Sequence, residues 1–277
     1  MNETATELGR PVQTSLTEFR WNHELNAVMA IWIREFKTFQ REKSRVIASL
    51  ATPILWIALV GTGFASAIPP EALGGLDYRR FLFPGIIAQA VLFGTVFYGM
   101  YIIWDKKLDV LKEILVAPVS RTSVFVGKVL GGSTESVIQG AILLAIGIAF
   151  FDVTVLGALE GLVIVLLLAI SFVSIGLFIG SFFESMEGFN IVISFLLFPL
   201  FFLSGALFPL GKLASEHAWL YWLIRANPAT YAVDGLRAVT LGAAHHEFPL
   251  ALDVGVLVAF GAFMAVAGSW AFKRMKL

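Results

Sequence analysis

Six long apolar segments limit the folds that are available to this chain. A helix of roughly 20 apolar residues crosses a hydrocarbon core of about 30 Å. Only 14% of the residues are charged, against about a quarter in soluble domains. The sequence therefore predicts an all-α integral membrane protein with six transmembrane helices per subunit. The predicted spans are Val46–Ile68, Leu82–Ile103, Val129–Phe151, Val155–Phe183, Phe189–Phe208 and Leu250–Phe272.

Polar parts of the chain flank this membrane domain, which we assign to residues 46–272. Residues 1–22 predict a polar cytoplasmic tail, because they lack the apolar core of a secretory signal peptide. Residues 23–45 predict an amphipathic helix, here called the interface helix. Its basic flank favours the membrane interface, and packing on protein is the alternative. Its apolar stripe consists of Leu25, Val28, Met29, Trp32, Ile33 and Phe36.

The orientation follows from lysine and arginine, which are enriched on the cytoplasmic side of membrane proteins. With a cytoplasmic N-terminus, thirteen of these residues lie at the inner helix ends and five lie on the outer side. This bias places both termini, including the last residues 273–277, in the cytoplasm. The five outer residues are Arg79, Arg80, Lys212, Arg225 and Arg237.

Several kinds of chemistry are absent from the sequence. It contains no cysteine, no phosphate-binding GxxxxGK[ST] motif and no hydrolase motif. The chain is therefore predicted to bind no cofactor, to have no catalytic residue and not to hydrolyse ATP by itself. Two adjacent histidines cannot share a helix face, so His245-His246-Glu247 predicts a solvated loop and no metal site. A net charge of zero gives no indication of nucleic acid binding.

Few charges are expected inside the membrane, where an unpartnered ionisable group costs several kcal/mol. Glu135 and Glu160 are the candidates, and their positions near helix ends favour side chains that reach the headgroups. Ion-driven pumps usually need an intramembrane carboxylate, so this scarcity argues for an external source of energy. Gly176 and Gly180, four residues apart, predict close helix packing.

The segment KEILVAPVSR, residues 112–121, interrupts the apolar sequence on the cytoplasmic side. A short amphipathic helix is predicted from Asp109, with Pro118 ending it and Ser120 capping the next helix. The resulting helix–elbow–helix lies within residues 105–128 and is called the elbow below. Its shape suits docking into a groove of a partner, and a simple connector is an equal alternative.

A second unusual segment, residues 209–249, follows the fifth predicted span. It is too polar to cross the membrane and too apolar for a free loop. The pair Asn227-Pro228 divides it into two short segments. These are predicted to be re-entrant helices or to lie along the outer leaflet, where Trp219, Tyr221 and Trp222 fit an interfacial aromatic belt.

Three motifs of this sequence resemble the permeases of ABC-2 type transporters. They are Glu113–Ser120 followed by Gly127-Lys128, then Phe198–Pro209, and then Asn227–Arg237. Their order and spacing are most similar to the nodulation-factor and daunorubicin-resistance exporter branch, which also resembles polysaccharide export permeases. The resemblance covers the chain from about residue 24 onwards.

This resemblance implies a half-transporter in the cytoplasmic membrane of a prokaryote. Two copies form the pore, and two copies of a separate cytoplasmic P-loop ATPase, which binds ATP and Mg²⁺, drive it. Coupling to the ATPase is assigned to Asp109, Lys112, Glu113, Ile114, Leu115, Ala117, Pro118, Ser120 and Arg121. The outer gate is assigned to Pro209, Asn227, Pro228, Tyr231 and Arg237. An aromatic substrate path is assigned to Phe97, Tyr98, Phe198, Phe201 and Phe202, with lipid-facing or packing roles as the alternative.

The predicted function is export of a hydrophobic drug, a lipid, or a lipid-linked or polymeric saccharide. An ion-coupled secondary transporter is one alternative, and it predicts inverted repeats and midplane charge. A membrane enzyme acting on lipid is another, and it needs a polar catalytic cluster at one depth. Neither set of features is visible in the sequence.

Overall fold

The structure of the chain, a computed structural model, describes residues 13–116, 118–209, 218–242 and 245–275. All regular elements in these ranges are helical. The α-helices are α1 Gln13–Arg41, α2 Lys43–Trp56, α3 Thr62–Ala65, α4 Tyr78–Phe97, α5 Met100–Lys107, α6 Val110–Val116, α7 Arg121–Phe150, α8 Val155–Gly180, α9 Met186–Phe202, α10 Ala218–Ala226, α11 Pro228–Leu241 and α12 Leu250–Arg274. A π-helical turn, Ile57–Gly61, joins α2 to α3, and a 3-10 helix covers Pro70–Leu73.

Five helical stretches within the described ranges are long and apolar enough to cross a membrane. They correspond to five of the six predicted spans. The largest difference in their bounds is at the third, which begins at Arg121 because Ser120 caps that helix. The five stretches are Val46–Ala65, Tyr78–Lys107, Arg121–Phe150, Val155–Gly180 and Leu250–Arg274.

The fifth predicted span corresponds to α9, which is shorter than the sequence pattern indicates. Its 17 residues extend about 26 Å at the rise of an α-helix. The predicted end at Phe208 is corrected to Phe202, because the chain turns at Gly205. This residue has a left-handed φ of 75°, a conformation that glycine adopts without steric cost.

The first helix is longer than predicted. The interface helix is expected to start at residue 23, and α1 begins at Gln13, inside the segment assigned to the tail. No glycine or proline occurs between residues 12 and 23, so no strong helix breaker prevents the helix from starting before residue 23. The helix predicted to continue to residue 45 is divided at Glu42, and α2 begins at the next residue.

Glycines allow the central helices to approach closely. Gly176 and Gly180 lie on the face of α8 that packs against the junction of α4 and α5, so the close packing that their spacing predicts is confirmed. A β-carbon at Gly99, in that junction, would overlap the backbone of Gly176. A β-carbon at Gly180 would lie 2.5 Å from the Gly99 carbonyl oxygen. The backbones of these helices are therefore in direct contact.

Helix α8 is the centre of the bundle. It packs against α4, α7, α11 and α12, and it contributes Leu168 and Phe172 to the buried apolar core. Helix α1 lies along α7, where Gly127 leaves room for Ile31. This arrangement brings α1, the elbow and the C-terminal end of α12 together at the end of the bundle that the charge distribution assigns to the cytoplasm.

Candidate functional site

The predicted elbow forms between α5 and α7. Asp109, with a left-handed φ of 57°, comes directly before the short helix α6. Ser120 caps α7 as predicted, because its side-chain oxygen accepts the backbone N–H of Ser123 at 3.1 Å. Leu111 is buried, whereas Val116 is 86% exposed. Helix α6 is therefore anchored by one face and presents the other.

The remaining residues assigned to coupling differ in their surroundings. Glu113 and Pro118 are exposed. Ile114 packs partly against the apolar core. Ala117 and the side chains of Lys112 and Leu115 lie outside the described residues.

Two side-chain contacts fasten the base of the elbow. Glu24 on α1 accepts hydrogen bonds from the backbone N–H of Ser120 at 3.1 Å and from the hydroxyl of Ser123 at 2.6 Å. Arg121 donates to the carbonyl oxygen of Lys273 at 2.8 Å, near the end of α12. The contact of Arg121 joins residues 152 positions apart, so the local sequence pattern gave no signal for it.

The contact of Glu24 predicts a dependence of stability on pH. The hydroxyl of Ser123 and the N–H of Ser120 hold the pKa of Glu24 below its ordinary value of 4.5. The ionised carboxylate therefore stabilises the fold fully above that value, and its contribution is lost as the pH falls through the lower pKa of the folded state. We expect Glu24→Gln to lower the midpoint of thermal unfolding by about 2 °C at pH 7. The difference from wild type should shrink below about pH 4.5.

A matched control is Glu187→Gln, which removes an exposed carboxylate from the first turn of α9. Its difference from wild type should not follow the same pH dependence. A constant difference between Glu24→Gln and wild type from pH 7 to pH 3 would contradict the assignment. The measurement is thermal unfolding of the purified chain in detergent at each pH.

Most of the apolar stripe of the interface helix is exposed, although Val28 is partly buried and Trp32 donates to the Thr134 hydroxyl on α7 at 2.9 Å. Phe36 is half-buried, and Ile31, on the opposite face, is buried against α7. An exposed apolar stripe on a helix with basic flanks is typical of a membrane interface. The exposed members of the stripe are Leu25, Met29, Trp32 and Ile33.

Four charged side chains meet where α1, α5 and α7 come together. Lys128 is fully buried, and its Nζ lies 3.1 Å from Glu35 Oε1 and 2.5 Å from Asp105 Oδ2. Arg34 reaches the same two carboxylates at 3.5 Å and 3.2 Å. The hydroxyl of Tyr98 donates to Glu35 at 2.8 Å. These four charged side chains, with the tyrosine, are called the buried ionic cluster below.

The buried ionic cluster adds charges that the sequence analysis did not name beside Glu135, which is partly buried, and it leaves Glu160 as the candidate that is not buried. Glu160 is exposed, and Lys128 is the fully buried cation. The sequence analysis missed this cluster because Lys128 and Glu35, whose charges neutralise each other, are 93 positions apart in the chain. The available signal was a lysine placed among the apolar residues at the start of the third span.

Aromatic side chains from four helices, α2, α4, α5 and α9, line a cavity of about 580 Å³. This volume is in the range of sites that hold small molecules, about 300 to 1,000 Å³. The aromatic lining on α2, α4 and α9 consists of Trp56, Phe93, Phe97, Phe198, Phe201 and Phe202. The polar lining consists of Ser49, Thr52, Gln89, Tyr101, Glu135 and Gln139.

The structure brings together four of the five residues assigned to the substrate path, all of them phenylalanines. Tyr98 is the correction. It is buried, it does not line the cavity, and its hydroxyl points into the buried ionic cluster. Successive residues of a helix are rotated by about 100°, so the side chains of Phe97 and Tyr98 leave the helix in different directions. The tyrosine therefore joins the junction of α4 and α5 to α1.

The motif around Asn227 folds the outer segment against the end of α9. Asn227 caps α11 by accepting the N–H of Ala229 at 3.0 Å, and its amide donates to the carbonyl oxygen of Leu200 at 2.7 Å. The hydroxyl of Tyr231 donates to the carbonyl oxygen of Arg225 at 2.8 Å. The predicted division of this segment into two short helices is confirmed.

Arg237 fixes the turn that follows α9. Its guanidinium is buried and donates to the carbonyl oxygens of Gly205 at 2.6 Å and Ala206 at 3.2 Å. It also lies 3.9 Å from the ring centre of Phe81. Burial lowers the pKa of Arg237 to about 10 and Asp234 opposes that shift, so the group stays charged at neutral pH. The buried guanidinium of Arg237 therefore stabilises this turn.

The sequence analysis assigned one further residue of the outer region to the gate and missed another. Pro209, assigned to the outer gate, is the last described residue before the gap at 210–217. Asp253, at the start of α12, was not singled out. It is fully buried beside Gly235, and neither of its carboxylate oxygens has a hydrogen-bond partner in the described part of the chain.

Comparison with known proteins gives a consistent set of relatives. The family model for ABC-2 type transporters matches residues 26–241. The chain is 28% identical over 244 residues to the inner membrane transport permease YadH of Escherichia coli strain K12, which covers 84% of this chain and 90% of that protein. It is 27% identical over 243 residues to the putative transport permease ycf38 of Cyanophora paradoxa, with coverages of 85% and 80%. It is 22% identical over 232 residues to nodulation protein J of Rhizobium leguminosarum bv. trifolii, with coverages of 83% and 86%.

The matched region contains the features described above. It runs from the interface helix through the elbow, the buried ionic cluster and the cavity to the end of α11. The match covers most of the chain, and two of the three relatives are named as transport permeases. The chain therefore belongs to the ABC-2 type transporter family, as a membrane permease.

Proposed function

We propose that this chain is the permease subunit of an ATP-driven exporter and that a separate cytoplasmic ATPase powers it. Membership of the family supports this proposal, because ABC-2 permeases generally work with an ATP-binding subunit. ATP and Mg²⁺ bind to that partner, since the sequence of this chain has no phosphate-binding motif. The chain itself is not an enzyme, and the assembled complex is an ATP-hydrolysing translocase.

The elbow is the observation that carries the proposal. Its exposed face combines Leu108 and Val116 with the carboxylate of Glu113. Its base is fastened to α1 by Glu24 and to α12 by Arg121. A partner that grips the exposed face therefore moves several helices as one body, which is how rigid-body transport motions are driven.

In the membrane, we propose that α9 also crosses the bilayer, as the fifth of six spans, and that α1 lies in the inner interface. Both termini are then cytoplasmic, in the inner membrane of a prokaryote. The short helices α10 and α11 form a re-entrant outer gate. A second copy of the chain packs against α9, where Ile191 and Phe195 are 71% and 83% exposed. Two permeases and two ATPase subunits make the complete exporter.

The cavity between α2, α4 and α9 is the proposed substrate path. Its aromatic rings stack on flat apolar molecules or on sugar rings, and its polar lining includes Gln89 and Gln139. The substrate class is accordingly a hydrophobic drug, a lipid, or a lipid-linked or polymeric saccharide. It enters from the inner leaflet and leaves on the outer side.

The test of this function is capture of the ATPase through the elbow. We expect the tagged chain to retain a P-loop ATPase during purification from its native membrane. Glu113→Lys is expected to reduce the ATPase retained by about tenfold or more, because it reverses the charge at the centre of a small docking face. Quantitative immunoblotting or mass spectrometry of the purified complex measures the ratio of the two subunits.

Glu71→Lys is the matched control, since it makes the same charge reversal at an exposed position at the opposite end of the first span. It should leave the subunit ratio unchanged. Equal loss in both variants, or no loss in either, would contradict a docking role for the elbow.

Buried Asp253 favours a second candidate, an ion-coupled transporter, because unpartnered intramembrane carboxylates mark proton and cation pathways. The two functions differ in their energy source. Transport in proteoliposomes that persists without ATP and stops when the ion gradient is collapsed would support the second candidate and exclude the first.

A further inference from the structure

The buried ionic cluster occupies the place where both ends of the elbow and the interface helix meet. Lys128 belongs to α7, the helix that leaves the elbow, and Asp105 belongs to α5, the helix that enters it. Glu35 belongs to α1. One ammonium group, buried to 0% exposure, therefore joins three helices through contacts of 3.1 Å and 2.5 Å.

The charges of this cluster are balanced, with two cations and two carboxylates. A buried ammonium group loses its hydration and is stable only beside groups that replace it. The carboxylates of Glu35 and Asp105 come from different helices, so the balance holds only while those helices keep their positions relative to Lys128. Removing one partner of a buried ion pair leaves an uncompensated charge, so separating one of these helices from the others is strongly unfavourable.

Three contacts, one of them made by Tyr98 of the cluster itself, strengthen the same joint. The hydroxyl of Tyr98 donates to Glu35 at 2.8 Å. Gly131 lies close to the side chain of Glu35, and a β-carbon added at Gly131 would be 2.6 Å from that side chain. Lys106, next to Asp105 in sequence, donates to the carbonyl oxygen of Ser181 at 3.0 Å, after the end of α8. The segment that leads into α6 is therefore held from both sides.

We propose that the buried ionic cluster is the rigid joint that transmits movement of the elbow to α1 and α7, with Lys128 as its positioning residue. This inference rests on the proposed function, because it assumes that an ATPase moves the elbow. Lys128, Glu35 and Asp105 are buried or partly buried, whereas the docking face with Val116 and Glu113 is exposed. Loss of Lys128 is therefore expected to separate ATP hydrolysis from movement of the spans and to leave the ATPase bound.

The test follows the movement directly and needs no transport substrate. The chain has no cysteine, so Leu156→Cys, at an exposed position at the outer start of α8, gives one spin label per copy. In the purified complex, we expect the distance between the labels to change between the nucleotide-free and vanadate-trapped states. Lys128→Met is expected to abolish this change and to keep at least about half of the ATPase activity.

Lys37→Met is the control, because it removes an exposed lysine from α1, and it should preserve the change in distance. If the label distance in Lys128→Met changes as in the wild type, the inference is overturned. If the wild-type complex shows no nucleotide-dependent change, it is the proposed ATP-driven function that fails. These two outcomes are distinguishable within one set of measurements.

Lys128→Met leaves two carboxylates beside one cation and can fail to fold. The double variant Lys128→Met with Asp105→Asn restores the balance of charge and is expected to recover thermal stability without recovering the change in label distance. Recovery of both properties together would indicate a structural role alone and would overturn the inference. Tyr98→Phe, which removes one hydrogen bond and no charge, is expected to fold and to reduce the change, and a full change in that variant would also count against it.

Discussion

Replacing Arg237 by leucine is expected to detach the outer segment from the end of α9 and to destabilise the chain by about 3 kcal/mol or more. The change removes two hydrogen bonds to the carbonyl oxygens of Gly205 and Ala206, which are buried and find no other donor among the described contacts. It also removes the cation from the face of the Phe81 ring. The measurement is the midpoint of thermal unfolding of the purified chain in detergent, together with its folded fraction by size-exclusion chromatography.

Two companion variants make this prediction specific. Arg237→Lys keeps the positive charge and loses the planar fork that reaches both carbonyl oxygens, so an intermediate loss is expected. Arg225→Gln removes an arginine from the adjacent helix α10, where it contacts Tyr221 and is only half-buried. We expect that variant to lose much less stability than Arg237→Leu. An Arg237→Leu chain as stable as the Arg225→Gln chain would show that the turn does not depend on the buried guanidinium.

Adding a single methyl group at Gly176 is expected to disrupt the centre of the bundle. The β-carbon of alanine would overlap the carbonyl oxygen of Val96, and backbone cannot move aside as a flexible side chain can. Separating α8 from α4 also loosens the packing around Gly99 and Gly180. Gly176→Ala is therefore expected to cost about 3 kcal/mol, the upper end for overpacking. Thermal unfolding and the yield of folded protein in the membrane fraction measure the effect.

Gly255→Ala is the matched control for this prediction. Gly255 lies in α12, another long apolar helix, and a β-carbon there would meet nothing within 4 Å. Alanine is the better helix former by about 1 kcal/mol, so this variant should be as stable as wild type or slightly more stable. Equal behaviour of the two variants would mean that the close approach at Gly176 is not required.

Features that depend on neighbouring residues were predictable. The cap at Ser120, the end of α6 before Pro118 and the division at Asn227 follow from local backbone chemistry, and the structure confirms them. The close packing at Gly176 and Gly180 follows from their spacing on one helix face. Each of these signals lies within a few residues of the feature that it predicts.

Features that depend on distant partners were not predictable in the same way. The end of α9 at Phe202 depends on a turn that Arg237 holds from more than thirty positions away. The direction of Tyr98 depends on Glu35, which is 63 positions earlier in the chain. A pattern of apolar residues indicates which face of a helix is buried, but it does not indicate which element that face packs against. The sequence analysis therefore predicted neither contact.

By itself, the sequence determined that this protein is a helical membrane protein, because the length and composition of an apolar helix decide whether it can lie in lipid. The permease assignment came from the resemblance of its three motifs to the ABC-2 family. It also determined where the elbow turns, at Pro118 and Ser120, and where the outer segment divides, at Asn227. Only the tertiary structure decided which charges are buried and which aromatic residues share a cavity. The physical reason is that a buried charge is stable only beside its partner, and helices far apart in the chain supply the partners of Lys128.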